Sequence, residues 1–313
     1  MNIPGRTCPL DYGIDIQTFF DTAADIKTDS LYVVGGLYGN LQALEKILSM
    51  AYEEKVKPII VFNGDIHWFD KNINDFKKIE KIVLRHLPLL GNVEAELVRI
   101  NDINAGCGCA YPSCVDDDTV RRSNLIHSDL KKILSLCPSL IQTIKRRKKA
   151  VVAVVKNKRV AITHGDETSL AGWKCSAESL KDGERQREIC LRLLKSNIDI
   201  FACTHTCSPA AFAKNGKCVI NNGSSGMPNF KKGLYGLLTS ISENPHVEAV
   251  YRVVIDDLYI EALPILYDTA AFLSWFDNIW PIGSPASISY RNRIVNGTEL
   301  SVKDAIIEGF YIV

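Results

Sequence analysis

Short apolar runs that end in turn residues recur along the chain. Residues 31–34 run into Gly35-Gly36, and residues 58–62 run into Asn63-Gly64-Asp65. Runs of this length, closed by glycine or asparagine, are typical of buried strands. The same pattern predicts later strands at 150–155, 158–163, 198–202, 217–220, 234–238 and 247–255.

Amphipathic segments alternate with these strands. Asn40 is placed to cap a helix whose residues Leu41, Leu44, Ile47 and Leu48 share one apolar face. Helices are also predicted at 76–87, 118–136 and 182–195. Alternation of this kind favours an α/β or α+β protein, with a sheet core covered by helices.

Two segments depart from the alternation. The cysteine-bearing stretch 104–118 and the helix after it look like an insertion at about 105–145. The residues after about 263 are aromatic and irregular, with Trp275 and Trp280 among them. We therefore expect a core over residues 1–262 and a C-terminal extension, 263–313, packed on it.

Composition excludes several classes of protein. The 313 residues carry a net charge of +1, with 46% hydrophobic and 23% charged residues, so nothing favours a nucleic-acid partner. No apolar run approaches the roughly eighteen residues of a membrane span, and the N-terminus does not resemble a secretory signal. Ten cysteines without such a signal indicate free thiols in a reducing compartment, and we expect a cytoplasmic protein.

Polar clusters follow four of the predicted strands. They contain Asp65, Asn92, His164 and His205, and a hairpin turning at Lys156-Asn157 would deliver His164. Ligand sites in open α/β sheets gather at strand ends. One carboxylate, one amide and two imidazoles suit a divalent ion such as Mn, Fe or Zn. Each residue alone has an ordinary explanation, as a turn residue or a hydrogen-bonded core histidine, so the prediction depends on the four together.

The order of these segments carries a family resemblance. In sequence order they are Gly-Leu-Tyr-Gly-Asn-Leu-Gln-Ala-Leu at 36–44, Gly64-Asp65, Gly-Asn-Val-Glu at 91–94, His164-Gly165-Asp166, Thr-His-Thr-Cys-Ser-Pro at 204–209 and Asn-Asn-Gly-Ser at 221–224. The chain thereby resembles the calcineurin-like metallophosphoesterases, particularly their small bacterial and archaeal phosphodiesterase-type branch. The resemblance implies a four-layer αββα sandwich of two mixed sheets.

The resemblance also implies a two-metal site of which one half is kept. Asp65, Asn92, His164 and His205 match the ligands of one metal. The other metal would take Asp65 together with positions that are here Gly36, Tyr38 and Cys207. The segment at 204–209 can also be aligned in a second register, in which Cys203 would be its first ligand. We prefer the first register because it also aligns Pro209. The sequence therefore predicts one divalent cation, or two if Cys207 binds as a thiolate.

Three further residues are predicted to line the weakened position or contact substrate. Asp65-Ile66-His67 recreates an Asp-x-His spacing, although packing beside Trp68 is the simpler explanation for His67. Tyr38 replaces a metal-binding histidine. Asn40 opens a helix whose N-terminal amides favour phosphate.

These observations predict metal-dependent hydrolysis of a phosphomonoester or phosphodiester. Val93 stands where the phosphatase branch has a histidine, which leans toward diesters or activated esters. The alternative is a catalytically degenerate member that acts as a binding scaffold, as the retromer subunit of this fold does. In that case the aromatic C-terminal extension would be the surface for a partner or for association of copies.

A separate alternative concerns Cys107, Cys109 and Cys114. Together with His127 they could hold a zinc ion, although the paired Cys-x2-Cys spacing of common structural sites is missing. Buried thiols in a turn-rich loop are the competing explanation.

Overall fold

A computed structural model describes residues 4–101 and 103–313. The strands are β1 Ile26–Thr28, β2 Ser30–Val34, β3 Ile59–Phe62, β4 Leu87–Pro88, β5 Ala150–Val155, β6 Lys158–Thr163, β7 Ile200–Cys203, β8 Pro209–Lys214, β9 Lys217–Asn222, β10 Gly236–Ser242, β11 Tyr251–Ile255, β12 Leu258–Ile265, β13 Ile306–Glu308 and β14 Tyr311–Ile312. The helices are α1 Leu41–Glu53, α2 Ile73–Val83, α3 Asn92–Leu97, α4 Asp117–Leu134, α5 Pro138–Lys145, α6 Ala177–Lys181, α7 Gly183–Lys195, α8 Thr269–Ile279, α9 Pro285–Asn296 and α10 Val302–Ala305.

The strands form two mixed sheets of seven strands each. One has the order β1-β5-β6-β7-β9-β8-β13 and the other β14-β11-β12-β10-β2-β3-β4. Strands β2, β3 and β4 run parallel in the second sheet, and β6, β7 and β9 run parallel in the first. The predicted hairpin of β5 and β6 is confirmed by their antiparallel register.

The layers follow from the side chains of each strand, which point alternately to the two faces of the sheet. Leu31 and Val33 of β2 face a core shared by both sheets, while Tyr32 and Val34 face the helices on the outer side. On the far side of the molecule, α7 covers the first sheet through residues such as Leu193. Because side chains alternate between the two faces of a strand, this pattern fixes the order helix, sheet, sheet, helix. The predicted four-layer sandwich is confirmed.

The C-terminal segment is more regular than its sequence indicates. Helices α8 and α9 pack on α1 and α4, and β13 and β14 each extend one of the two sheets. The ring nitrogen of Trp280 donates to the carbonyl of Phe69 at 2.8 Å, and both residues are buried. Most of the aromatic side chains of this segment therefore belong to the core, and an association surface on the extension stays a prediction.

The segment predicted to be an insertion contains α4 and α5 together with the residues before them. Residues 104–116, which we call the covering loop, contain no helix or strand. Helix α4 packs against α3 and α9, and so ties the insertion to the rest of the fold. Within the described ranges, no helix is both long enough and apolar enough to cross a membrane.

Candidate metal centre

The four predicted ligands lie together where parallel strands end. Asp65 follows β3 and Asn92 follows β4, while His164 follows β6 and His205 follows β7. Because parallel strands deliver their carboxyl ends to the same edge, the two sheets present these residues to each other.

Glycines allow the loops that carry Asp65 and Asn92 to approach each other closely. A Cβ added to Gly64 would lie 2.5 Å from the Cα of Gly91, and one added to Gly91 would lie 2.3 Å from Oδ1 of Asp65. Asp65 itself has a φ of 51°, a conformation that costs a non-glycine residue on the order of 1–3 kcal/mol. Such strain is typical of functional sites, where surrounding structure holds it in place.

The ligand atoms converge on one point. Nε2 of His164 lies 3.3 Å from Oδ1 of Asp65, 3.1 Å from Oδ1 of Asn92 and 3.3 Å from Nδ1 of His205. The ligand atoms of Asp65, His164 and His205 all lie within 4.8 Å of one another. All four residues are at least 95% buried.

Backbone carbonyls turn each donor atom inward. Nδ1 of His164 donates to the carbonyl of Asn63 at 2.8 Å, and Nε2 of His205 donates to that of Cys109 at 3.1 Å. Each neutral imidazole therefore keeps the lone pair of its other nitrogen facing the cluster.

The amide of Asn92 is oriented in the same way. Its Nδ2 donates to the carbonyl of Cys107 at 3.0 Å, so that its oxygen faces the cluster. Together with the carboxylate of Asp65, four electron-pair donors thus face one another.

The spacing fits a divalent cation. Ligand bonds of about 2.0–2.1 Å separate neighbouring donors by roughly 3.0 Å in octahedral and 3.4 Å in tetrahedral geometry. The measured separations of 3.1–3.3 Å from Nε2 of His164 lie between these values. The donor set and its spacing therefore fit a cation such as Mn, Fe or Zn.

The charge states also suit metal binding. Burial opposes ionisation of Asp65, but the nearby His164 outweighs it and lowers the pKa of the carboxyl. Burial, assisted by His164, lowers the pKa of His205 to about 4, so that its imidazole is neutral. In the metal-free cluster, burial lowers the pKa of His164, but Asp65 outweighs it and raises the pKa above its usual value. A cation would take the place of that proton.

Glu94 holds the loops of the candidate site together, a role that its sequence position signals only weakly. Its carboxylate accepts from the backbone N–H groups of Asp65 and Ile66, each at 2.8 Å, and from that of Gly91 at 3.0 Å. It thereby fixes the two loops that carry Asp65 and Asn92. In the sequence, the only indication of this role is that the Gly-Asn-Val-Glu segment at 91–94 ends in an acidic residue.

Tyr38 and Cys207, at the positions that the family resemblance assigns to a second metal, contact each other. The hydroxyl of Tyr38 lies 2.7 Å from Sγ of Cys207, and a Cβ added to Gly36 would lie 2.9 Å from the Tyr38 ring. The tyrosine ring therefore takes the space that a side chain at position 36 would need. Tyr38 and Cys207 line the same small cavity as Asp65 and His205.

Two predicted substrate contacts lie elsewhere. The imidazole of His67 is fully buried between Asp70 and Glu80, which take both of its ring nitrogens. Asn40 is also fully buried, and its side chain caps α1 by accepting from Ala43 and donates to Gly226. Neither side chain is free to line the site, so both assignments are corrected.

The covering loop closes the cavity. The carbonyl of Cys109 accepts from His205 and also from the indole N–H of Trp173, the latter at 3.0 Å. The remaining volume is about 40 Å³, compared with roughly 300–1,000 Å³ for ordinary ligand sites. This space is large enough for an ion and a water molecule but not for a phosphate ester.

The covering loop does not assemble a zinc site. Cys107 and Cys109 are buried while Cys114 is exposed, and Nε2 of His127 faces the carbonyl of Val93 at 3.2 Å. Over residues 4–101 and 103–313, Asp65, His164 and His205 form the one group of His, Cys, Asp or Glu side chains whose ligand atoms lie close enough together to hold a metal ion. All ten cysteines are free thiols.

Comparison with known proteins supports the fold. No protein-family model and no curated protein matches the chain. A metallophosphoesterase from Sphaerobacter thermophilus superposes with a TM-score of 0.55 at 14% identity, over 86% of this chain and 100% of that one. A hypothetical protein from Pyrococcus horikoshii OT3 gives a TM-score of 0.57 at 12% identity, over 87% of this chain and 99% of that one. The resemblance stated from the motifs is confirmed at the level of the fold.

Proposed function

We propose that this chain, which has the metallophosphoesterase fold, hydrolyses a phosphate ester with one divalent cation. The ligands are Asp65, Asn92, His164 and His205. The observation that carries the proposal is the convergence of four donor atoms, three of them oriented by hydrogen bonds to backbone carbonyls. When both imidazoles are neutral, four electron-pair donors face one another with no hydrogen atom between them, and a cation stabilises that arrangement.

The charge and the burial of the four proposed ligands favour binding of an anion. A divalent cation bound there would lower the pKa of a bound water and polarise a phosphoryl oxygen. Asp65 is the one carboxylate among the four ligands, so the occupied site would keep a net positive charge. Burial of all four ligands excludes bulk water and strengthens the attraction for a phosphate group.

The site favours esters with good leaving groups. Tyr38 and Cys207 supply no second charged clamp for the transition state, and Val93 lines the cavity where an imidazole could otherwise protonate the leaving oxygen. We therefore propose activated monoesters or phosphodiesters as substrates. Substrate enters when the covering loop moves away from His205 and Trp173.

A binding module is the second candidate function. The closed cavity of about 40 Å³ and the contact between Tyr38 and Cys207 favour it. Such a protein would bind a cation and keep its fold without turnover. Ten free thiols suit a reducing, cytoplasmic location for either function.

The test measures metal content and hydrolysis together. Purified protein is dialysed against Mn²⁺ or Zn²⁺, analysed by mass spectrometry for bound metal, and assayed with p-nitrophenyl phosphate and bis(p-nitrophenyl) phosphate. Asp65→Asn should weaken metal binding by more than about a hundredfold and abolish turnover. Asp257→Asn, in an exposed turn, is the matched control and should change neither.

The outcomes separate the two candidates. One equivalent of metal with turnover that Asp65→Asn removes supports the phosphoesterase. Metal binding without turnover of either ester supports the binding module. An Asp65→Asn variant that retains both metal and activity would refute the site itself.

A further inference from the structure

A second, larger cavity lies behind α3. Its volume is about 430 Å³, within the range of small-molecule sites and about ten times that of the metal cavity. The two cavities have no lining residue in common. This space, which we call the basic cavity, is therefore a separate feature of the molecule.

The inner wall of the basic cavity is apolar. Tyr12, Val98 and Leu170 line it and are at least 93% buried, and Ile100 continues the apolar surface outward with 79% of its area exposed. A buried floor that continues into an exposed isoleucine offers a short hydrocarbon chain contact on several sides.

Cationic groups line the same cavity. Arg99, Lys145 and Lys149 contribute three positive charges, and Asp11 is the single acidic residue of the described lining. Arg99 pairs with Asp11 at 2.9 Å and with Glu96 at 2.8 Å, so its charge is already compensated. The ammonium of Lys149 donates to the backbone carbonyl of Asp11, a neutral acceptor, and therefore keeps its charge. Lys145 is exposed at the end of α5.

We propose that the basic cavity binds a small amphiphilic anion, with its apolar chain on the Tyr12, Val98 and Leu170 floor and its anionic head beside Lys145 and Lys149. The apolar floor selects against inorganic anions, and the ammonium groups of Lys145 and Lys149 select against cationic amphiphiles. The run of basic residues at 145–149, which precedes β5, thereby acquires a ligand.

The basic cavity is connected to the metal centre by hydrogen bonds. The Tyr12 hydroxyl donates to Oε1 of Glu96 at 2.7 Å and lies 3.3 Å from the backbone carbonyl of Asn92. Asn92 supplies its side-chain oxygen to the proposed metal site. Tyr12 therefore contacts both the proposed apolar floor and the backbone of a proposed metal ligand.

The test uses octanoate as the probe, measured by isothermal titration calorimetry on the full-length protein. Saturable binding of one equivalent is expected. Hexanoate should bind roughly tenfold more weakly, since two methylene groups fewer are buried. Octyltrimethylammonium, which has the same chain and the opposite charge, should show no saturable binding.

Variants locate the bound probe. The double variant Lys145→Gln/Lys149→Gln should raise the octanoate Kd about tenfold at low salt. The matched control is Lys77→Gln/Lys81→Gln, two exposed lysines of α2 that line neither cavity, and its Kd should equal that of the wild type. Asp65→Asn should also leave the Kd unchanged, which excludes binding of the carboxylate at the metal centre.

Three results would overturn the proposal. They are absence of saturable octanoate binding, equal weakening in both double variants, and loss of binding in Asp65→Asn. All of the substituted lysines are at least partly exposed, so circular dichroism should show that every variant keeps the fold. The proposal does not depend on the phosphoesterase activity, because each readout is binding of octanoate.

Discussion

The hydroxyl of Tyr38 and the thiol of Cys207 lie 2.7 Å apart, on elements separated by 169 positions in the chain. Burial raises the pKa of the Tyr38 phenol well above its usual value, and burial likewise raises the pKa of the Cys207 thiol. Both groups are therefore protonated near neutral pH and are poor metal ligands. They form a neutral contact in the wall of the cavity that Asp65 also lines.

Restoring ligands at this position should restore a second metal. The triple variant Gly36→Asp, Tyr38→His and Cys207→His supplies one carboxylate and two imidazoles beside Asp65. Because Gly36 has a φ of 66°, the aspartate should cost about 1–2 kcal/mol of stability. Mass spectrometry of the dialysed protein should find two equivalents of metal in the triple variant and one in the wild type.

The matched control for the restored site is Cys207→Ser together with Tyr38→Phe. This variant breaks the same contact but supplies no imidazole, and it should hold one equivalent. A triple variant that folds and still binds one equivalent would show that Tyr38 and Cys207 do not occupy the lost ligand position.

The covering loop should open more often when Trp173 loses its hydrogen bond. Trp173→Phe keeps an aromatic ring beside His205 but removes the donor to the carbonyl of Cys109. A neutral hydrogen bond contributes about 1 kcal/mol, so the open population should rise roughly fivefold. The rate at which Cys109 is labelled by a thiol reagent, followed by peptide mass spectrometry, measures that population.

Cys218 is the internal reference for this experiment. It lies fully buried in β9, away from the covering loop, and its labelling should not change. Equal acceleration at Cys109 and Cys218 would indicate global unfolding, and an unchanged rate at Cys109 would show that Trp173 does not hold the loop.

The sequence predicts those parts of the site that depend on strand ends. Asp65, Asn92, His164 and His205 each follow a short apolar strand, and parallel pairing brings such positions together without further information. The direction in which a side chain points is harder to predict from the sequence. His67 has the right spacing for a ligand, but stacking on Phe76 with ring centroids 3.6 Å apart turns it into the core.

The remaining features depend on contacts between distant segments. Carbonyls of Cys107 and Cys109 orient two ligands, yet a backbone carbonyl carries no signal in the residue type. The C-terminal helices α8 and α9 were missed because their apolar and aromatic residues, including Trp275, do not follow a simple amphipathic pattern. They become helical through packing on α1 and α4.

A buried ion network near the site should govern stability and not metal binding. Burial favours the neutral form of His67, but Asp70 and Glu80 outweigh it and raise its pKa to about 9. Burial opposes ionisation of Glu80, but His67 and Arg147 outweigh it and lower its pKa to about 2. Glu80→Gln leaves Arg147 without its buried carboxylate partner and should cost about 3–5 kcal/mol in the free energy of unfolding.

Two measurements test this assignment of the network. Urea denaturation should show the large loss in Glu80→Gln and less than about 1 kcal/mol in Glu45→Gln, whose pair with Lys78 is exposed. Metal content should stay at one equivalent in both variants. Loss of metal from a folded Glu80→Gln protein would place His67 back among the residues that support the site.

The stability contributed by His246 should depend on pH. Burial lowers its pKa, but hydrogen bonds from its two ring nitrogens to Glu261 and Glu54, each 2.6 Å long, outweigh burial and raise the pKa above its usual value. A histidine with a raised folded-state pKa contributes its full stabilisation below the unfolded value of about 6.5 and loses it as the pH rises through the folded value. The difference in unfolding free energy between wild type and His246→Gln should therefore be largest near pH 5.5 and shrink at alkaline pH.

His86→Gln is the opposite control, since burial lowers the pKa of His86 and its protonation penalises the fold in acid. If the difference for His246→Gln instead grew with pH, the imidazole would be neutral in the folded protein, and its two carboxylate contacts would not be ion pairs.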